Sequence, residues 1–93
     1  ISAGFDAHRL DPLANLNLDA ATYGAMTSAL LAHVESLGHG RLGLVLEGGY
    51  DLRALEDSLR AVTGALTGAP SPLPEGRIGP EFERALSRVE SLR

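Results

Sequence analysis

Two stretches decide the fold of this chain: SAGFDAHRLDPL at residues 2–13 and LEGGYDL at residues 46–52. Each stretch has the pattern of a buried strand that runs into a loop containing glycine, aspartate and one reactive side chain. The active sites of α/β proteins are built where parallel strands end, at the carboxyl edge of the sheet. The two loops are therefore the candidate functional site of this chain.

The segments around these loops predict strands and helices in alternation. Short apolar runs at residues 1–5 and 42–46 predict strands, and the second run is typical of a strand buried on both faces. Apolar residues at helical spacing predict helices over about residues 20–37 and 52–67. The order strand, helix, strand, helix implies an α/β fold with a parallel sheet.

Both predicted helices carry local start and stop signals. Asp19 and Asp51 are the expected N-caps, because a carboxylate there can accept hydrogen bonds from the free N–H groups of the first turn. Gly38 and Gly40 are the expected stops of the first helix, and Gly68 is the expected stop of the second. The residues expected on the buried faces are Tyr23, Met26, Thr27, Leu30, Leu31 and Val34 in the first helix, and Leu52, Leu55, Leu59, Val62 and Leu66 in the second.

The character of the chain changes after residue 68. Residues 69–79 are rich in proline and glycine and predict a stiff, extended connector. Residues 80–93 predict a short amphipathic helix with Phe82, Leu86 and Val89 on one side. The expected organisation is thus an α/β portion at residues 1–68, the connector, and a C-terminal helix.

Composition narrows the classes of function. The 93 residues fit one small domain or part of a larger one, and we expect the latter. The net charge is −4 with no basic cluster, which argues against nucleic acid as a main partner. The absence of cysteine excludes disulfides, thiolate metal sites and cysteine nucleophiles. No apolar run approaches the ~20 residues of a membrane span, so a cytoplasmic protein is the expectation.

The first loop offers a carboxylate as its most promising functional group. Asp11 lies a few residues beyond the predicted strand, before Pro12, and a carboxylate held in this way can bind a cation such as zinc. A solvated turn is the alternative, because aspartate before proline is common in turns. Asp6 and His8 are rival ligands in the same loop.

The second loop offers a phenol beside two glycines. Tyr50 follows Gly48 and Gly49, which would let a substrate approach the backbone closely. A phenol in this position can donate a hydrogen bond to a developing oxyanion. A tyrosine that packs at the sheet edge, and a phosphate cradle formed by the glycines and the next helix, are the alternatives.

Both stretches resemble signatures of one family, the zinc-dependent histone deacetylases, which includes class II-like bacterial deacetylases, acetylpolyamine amidohydrolases and acetoin-utilization proteins. Residues 2–13 are similar to its Ser-Ala-Gly-Phe-Asp-Ala…Asp-Pro-Leu motif, and residues 46–52 to its Glu-Gly-Gly-Tyr-Asn/Asp-Leu motif. The resemblance covers about residues 1–68. It implies that these residues are the C-terminal βαβα part of an arginase/deacetylase-type parallel-sheet domain.

The resemblance also implies roles for individual residues. Asp11 corresponds to the aspartate that binds the catalytic zinc, and Tyr50 to the tyrosine that polarises the amide carbonyl and stabilises the tetrahedral intermediate. Leu13 corresponds to a residue that lines the acyl channel, and Gly48 and Gly49 belong to its glycine-rich wall. Asp6, in contrast, is a motif residue that we expect to fix the loop rather than to bind metal.

The activity that the resemblance implies is zinc-dependent hydrolysis of an acetyl amide, with acetyl-lysine or an acetylpolyamine as substrate. The apolar Leu13 favours acyl-lysine-like or other neutral N-acetyl substrates. The family's other zinc ligands and its histidine pair do not match any residue of this chain, so we expect these 93 residues to be inactive alone. A catalytically dead binding module and a phosphate-binding or nucleotide-binding α/β module are the alternatives.

Overall fold

The computed structural model describes residues 1–69 and 79–92. The elements in chain order are β1 (Ser2–Ala3), α1 (Ala20–Ser36), β2 (Val45–Leu46), α2 (Leu52–Leu66) and α3 (Pro80–Glu90). The predicted connector of residues 69–79 lies outside the described residues, apart from Ala69 and Gly79. Within the described ranges, every helix is too short or too polar to cross a membrane.

The two strands pair in parallel, as the order of elements predicts. Ser2 lies opposite Val45 and Ala3 opposite Leu46. Backbone pairing continues beyond these short strands, because the N–H of Phe5 donates to the carbonyl of Gly48 at 2.8 Å. Both candidate loops therefore leave the same edge of the sheet.

Both helices begin at their predicted caps. The Asp19 Oδ1 atom accepts hydrogen bonds from the backbone N–H and the hydroxyl of Thr22, at 2.9 and 2.7 Å. The Asp51 Oδ1 atom accepts one from the backbone N–H of Ala54 at 2.7 Å. Gly38 and Gly68, just beyond the helix ends, have φ angles of 84° and 90°, a conformation that favours glycine.

The core lies between β1 and the two long helices, which pack against each other. Phe5, Tyr23 and Val62 form its apolar centre, and the Phe5 and Tyr23 rings meet edge to face with centroids 4.9 Å apart. The residues buried on the helices are mostly small: Tyr23, Gly24, Ala25 and Thr27 in α1, and Ala54, Ser58, Val62 and Ala65 in α2.

The buried faces of the helices agree with the predicted ones only in part: Tyr23, Thr27 and Val62 are buried as expected. Met26 and Leu30 are exposed, and with Ile1 and Leu44 they border an open apolar groove of about 240 Å³. Leu52 is 83% exposed. The physical reason is that helical spacing singles out large apolar residues, whereas small residues such as Ala25 and Ala54 are buried here beside Tyr23 and Val62, so several larger residues stay exposed.

The second strand also differs from its prediction. Val45 and Leu46, expected to be buried on both faces, are exposed. Among the described elements β1 alone contacts β2, and no helix lies over it. Helix α3 is amphipathic as predicted, but its apolar residues Phe82 and Leu86 are exposed and it contacts no other described element.

Candidate active site

Asp11 joins the two loops that the sequence analysis selected. Its side chain is only 8% exposed. The Oδ1 atom accepts a hydrogen bond from the backbone N–H of Leu13 at 2.8 Å, and the Oδ2 atom accepts one from the backbone N–H of Tyr50 at 2.9 Å. The second of these bonds connects Asp11 to a residue 39 positions later in the sequence.

The loop that carries Asp11 is held by backbone pairing. The N–H of Arg9 donates to the carbonyl of Leu18 at 2.8 Å, and the N–H of Leu18 donates to the carbonyl of Ala7 at 3.0 Å. The N–H of Asp11 then donates to the carbonyl of His8 at 2.9 Å. These hydrogen bonds satisfy backbone N–H and carbonyl groups in a loop that contains little regular secondary structure.

The Asp11 carboxylate is ionised at neutral pH. Burial alone would raise its pKa, but the backbone N–H groups of Leu13, Tyr50 and Ala14 favour the charged form and, with a smaller effect of His8, hold the pKa below its ordinary value. Across residues 1–69 and 79–92 the single side-chain ion pair joins two residues of α2, so no arginine neutralises Asp11 there.

An ionised, nearly buried carboxylate of this kind fits a cation. Each carboxylate oxygen keeps acceptor capacity beyond its one hydrogen bond, and zinc takes carboxylate ligands. In the described part of the chain, no group of three or more histidine, cysteine, aspartate or glutamate side chains could hold a metal. A metal ion at Asp11 would therefore need further ligands from outside the described residues.

Asp6 occupies a narrow space between the two strand ends. Its Oδ1 atom lies 3.0 Å from where a Cβ would stand on Gly4, and 2.9 Å from where one would stand on Gly48. A side chain at Gly48 would therefore collide with the carboxylate. This position agrees with the expectation that Asp6 fixes the loop.

The side chain of Tyr50 is exposed, although its backbone N–H is bound to Asp11. The exposed fraction is 58%, which does not fit a tyrosine packed at the sheet edge. Helix α2 begins two residues later, so the positive end of its dipole lies close to this loop. Tyr50 is thus accessible to a ligand, and its backbone is fixed to Asp11.

Gly49 has a conformation that a larger residue would adopt only with strain. Its φ angle is 136°, and a Cβ there would lie 3.1 Å from Leu55 Cδ1 and 3.2 Å from Phe5 Cβ. The two glycines before Tyr50 therefore make room for neighbouring side chains of the chain itself. Their contact with a substrate stays a prediction.

Leu13 lies at the exposed side of the same site. Its backbone N–H is bound to Asp11, while its side chain is 67% exposed. The position next to an anchored carboxylate suits a wall residue of a channel. The substrate contact of Leu13 also stays a prediction.

The sequence analysis missed one buried polar atom close to this loop. The Tyr23 hydroxyl has no hydrogen-bond partner in the structure. Burial, followed by the negative charge of Asp6, raises the pKa of this phenol. The sequence gives no signal for this arrangement, because helical spacing identifies Tyr23 only as a core residue.

Comparison with known proteins places the chain in a family. Residues 1–66 match the model of the histone deacetylase domain, and the chain belongs to the histone deacetylase family. A solved structure, the HD domain of HDA15, is similar with a TM-score of 0.63 and 42% identity, over 77% of this chain and 19% of that chain. The predicted family and α/β fold are confirmed.

Three curated relatives show the range of similarity. Histone deacetylase 14 of Arabidopsis thaliana, a chloroplastic protein, is 44% identical over 68 residues, or 69% of this chain. Histone deacetylase HDA1 of Saccharomyces cerevisiae is 39% identical over 89% of the chain, and polyamine deacetylase HDAC10 of Homo sapiens is 33% identical over 100% of it. The chain spans between 11 and 16% of the lengths of these relatives.

Proposed function

We propose that this chain supplies one zinc ligand and one oxyanion-stabilising group to a hydrolase that removes acetyl groups from amide nitrogen. The observation that carries the proposal is the hydrogen bond from the Tyr50 N–H to the Asp11 carboxylate. This bond fixes the backbone of the tyrosine relative to the carboxylate. The membership in the histone deacetylase family supports the reaction class.

Asp11 is the residue of this chain that would hold zinc. Its low pKa keeps it ionised and ready to bind the cation at neutral pH. Bound zinc supplies Lewis acidity and lowers the pKa of a coordinated water. The hydrogen bonds from Leu13 and Tyr50 fix the orientation of the carboxylate before any metal arrives.

Tyr50 would act on the carbonyl group of the substrate. Its phenol donates a hydrogen bond to the carbonyl oxygen of the acetyl amide, and the bond strengthens as negative charge develops there. The dipole of α2 adds a small favourable field at the same place. The exposure of the phenol supports this role, since it leaves the hydroxyl available to a substrate.

The proton transfers need groups from outside this chain. His33 lies in the last turn of α1 and His39 follows its end, and this part of the chain leads back to the start of β2 and so to the opposite edge of the sheet from Asp11 and Tyr50. His8 is nearly buried in its loop. We therefore assign the general base and general acid to residues that a full-length protein contributes elsewhere.

The proposed substrate is an acylated amine of the acetyl-lysine type. Leu13 presents an apolar, uncharged side chain beside the carboxylate, which suits a neutral acyl group and does not attract a second cationic centre. Relatives include histone deacetylases and a polyamine deacetylase, so both substrate types enter the test.

A phosphate site at Gly48–Asp51 is not favoured. The carboxylate of Asp6 lies against Gly48, and the carboxylate of Asp11 already takes the N–H of Tyr50. Asp51 caps the helix N-terminus that a phosphate would need. Three negative charges around one loop repel a phosphate group.

The test is deacetylation by a full-length protein that carries this segment, with an acetyl-lysine peptide and an acetylpolyamine compared side by side. We expect turnover that a chelator abolishes and zinc restores, and a preference for the peptide. A strong preference for the polyamine would contradict the substrate assignment. Absence of turnover in protein that holds zinc would contradict the hydrolase and favour a binding module of the same fold.

A further inference from the structure

His8 has no part in the proposed reaction, yet it is among the most buried polar residues of the chain. Its side chain is 5% exposed. The Nδ1 atom accepts a hydrogen bond from the backbone N–H of Leu10 at 3.1 Å. A ring nitrogen that accepts a hydrogen bond carries no proton, so the neutral ring has its proton on Nε2.

The backbone of His8 is hydrogen-bonded to Asp11, the proposed zinc ligand. Its carbonyl accepts the hydrogen bond from the N–H of Asp11 at 2.9 Å. The residues on either side, Ala7 and Arg9, are both paired with Leu18. The turn of residues 8–11 is therefore closed by the His8 side chain at Leu10 and by the His8 backbone at Asp11.

Two hydrogen bonds of the same type follow each other in this loop. The side chain of His8 accepts from the N–H two residues later, and so does the side chain of Asp11. This pattern is that of an Asx turn, which asparagine and aspartate form with the N–H two residues on. The first turn fixes the direction in which the second begins.

We infer that His8 is a positioning residue that holds the turn of residues 8–11 so that the Asp11 carboxylate reaches the N–H of Tyr50. The inference rests on the proposed function in so far as Asp11 binds zinc. The acceptor must stand at the δ position of the side chain. Asparagine has its Oδ1 at the same number of bonds from the backbone as histidine Nδ1, whereas glutamine has its acceptor one bond further out.

The variants His8→Asn and His8→Gln in full-length protein test this requirement. The measurements are zinc affinity by competition with a chelator, kcat, KM and the melting temperature. We expect His8→Asn to keep zinc affinity within about threefold and His8→Gln to lose about tenfold, a typical effect of residues that orient a metal ligand. The KM is expected to stay unchanged in both, because a side chain as buried as that of His8 is not available to a substrate.

Equal zinc affinities of the two variants would overturn the inference, whether both match the wild type or both fall. A purely structural role would lower the melting temperature of both and would not separate them by the position of their acceptor. The difference in zinc affinity between the two variants thus measures the effect of an acceptor at the δ position.

A second measurement does not depend on any variant that folds poorly. Nitrogen NMR of the histidine-labelled protein, with the His8 signal assigned by its loss in His8→Asn, reports which ring nitrogen carries the proton. We expect an unprotonated Nδ1 and a protonated Nε2 in the neutral ring, because Nδ1 accepts the hydrogen bond from the N–H of Leu10. The opposite tautomer would overturn the inference. This readout needs no activity, so a protein without zinc-dependent deacetylation would contradict the proposed function and leave the inference standing.

Discussion

The carboxylate of Asp11 accepts the backbone N–H of Tyr50 at 2.9 Å, and this bond joins the loop after β1 to the loop after β2. The proposed zinc ligand and the proposed oxyanion donor therefore form one hydrogen-bonded unit. A change in either loop is expected to act on both.

The substitution Asp11→Asn tests the carboxylate as both ligand and connector. The amide group keeps the shape but offers one acceptor oxygen, so the N–H of either Leu13 or Tyr50 loses its partner. Both hydrogen bonds are partly buried, and the loss of a hydrogen bond to a charged group costs about 1–3 kcal/mol. We expect zinc content to fall sharply and the free energy of unfolding to fall by about that amount.

The matched control for this variant is Asp57→Asn, on the exposed face of α2. Metal analysis and denaturant unfolding measure both effects. Full zinc occupancy in Asp11→Asn would refute the assignment of the ligand. A loss of stability equal to that of the control would refute its role as a connector.

The substitution Gly48→Ala tests the close fit of Asp6 between the strand ends. The added Cβ would stand 2.9 Å from Asp6 Oδ1, so the carboxylate must move or the strand ends must separate. We expect a loss of about 1–3 kcal/mol in the free energy of unfolding, the usual cost of overpacking.

Two further variants identify the cause of that loss. Gly40→Ala is the control, because a Cβ there has nothing within 4 Å. The double variant Asp6→Ala, Gly48→Ala removes the colliding carboxylate, and we expect the two changes to be non-additive. Simple additivity in thermal or denaturant unfolding would show that the collision is not the cause.

The caps of the two long helices could be predicted from sequence because they are local. Asp19 and Asp51 bind N–H groups three residues away, and the residue types alone mark such positions. The parallel pairing of β1 and β2 follows in the same way from the order of elements.

The exposed positions of Met26 and Leu30 could not be predicted, because helical spacing identifies an apolar face but not its partner. The helices α1 and α2 contact each other, and the residues buried on them include small ones such as Ala25 and Ala54, which hydrophobic patterns weigh lightly. The hydrogen bond between Asp11 and Tyr50 could not be predicted from the sequence either. Its donor is a backbone N–H, which every residue except proline carries, and the two residues are 39 positions apart.

The N-cap Asp19 makes the free energy of unfolding depend on pH. The hydrogen bonds from the Thr22 hydroxyl, and next from its backbone N–H, hold the pKa of Asp19 below its ordinary value of 3.8. The ionised cap therefore contributes its full stability above that ordinary value, and the contribution is lost as the pH falls through the lower pKa of the folded state.

Denaturant unfolding of the wild type and Asp19→Ala across this pH range measures the effect. We expect a difference of about 1 kcal/mol at neutral pH, the usual worth of an N-cap, which shrinks as the pH falls below 3.8. Asp19→Asn is the control, since it keeps a neutral cap. A difference that grows on acidification would contradict the role of the ionised carboxylate.

The most direct test of the account is the turnover of Tyr50→Phe in a full-length, zinc-loaded protein, beside the control Tyr23→Phe. The Tyr50 variant loses only the phenol hydroxyl and keeps the backbone N–H that binds Asp11, so zinc content should not change. The control removes a hydroxyl that has no hydrogen-bond partner and lies in the core. The account predicts that kcat falls by about 10²–10³ in Tyr50→Phe, as for other lost oxyanion donors, and stays near the wild-type value in Tyr23→Phe. A kcat close to the wild type in Tyr50→Phe would contradict it.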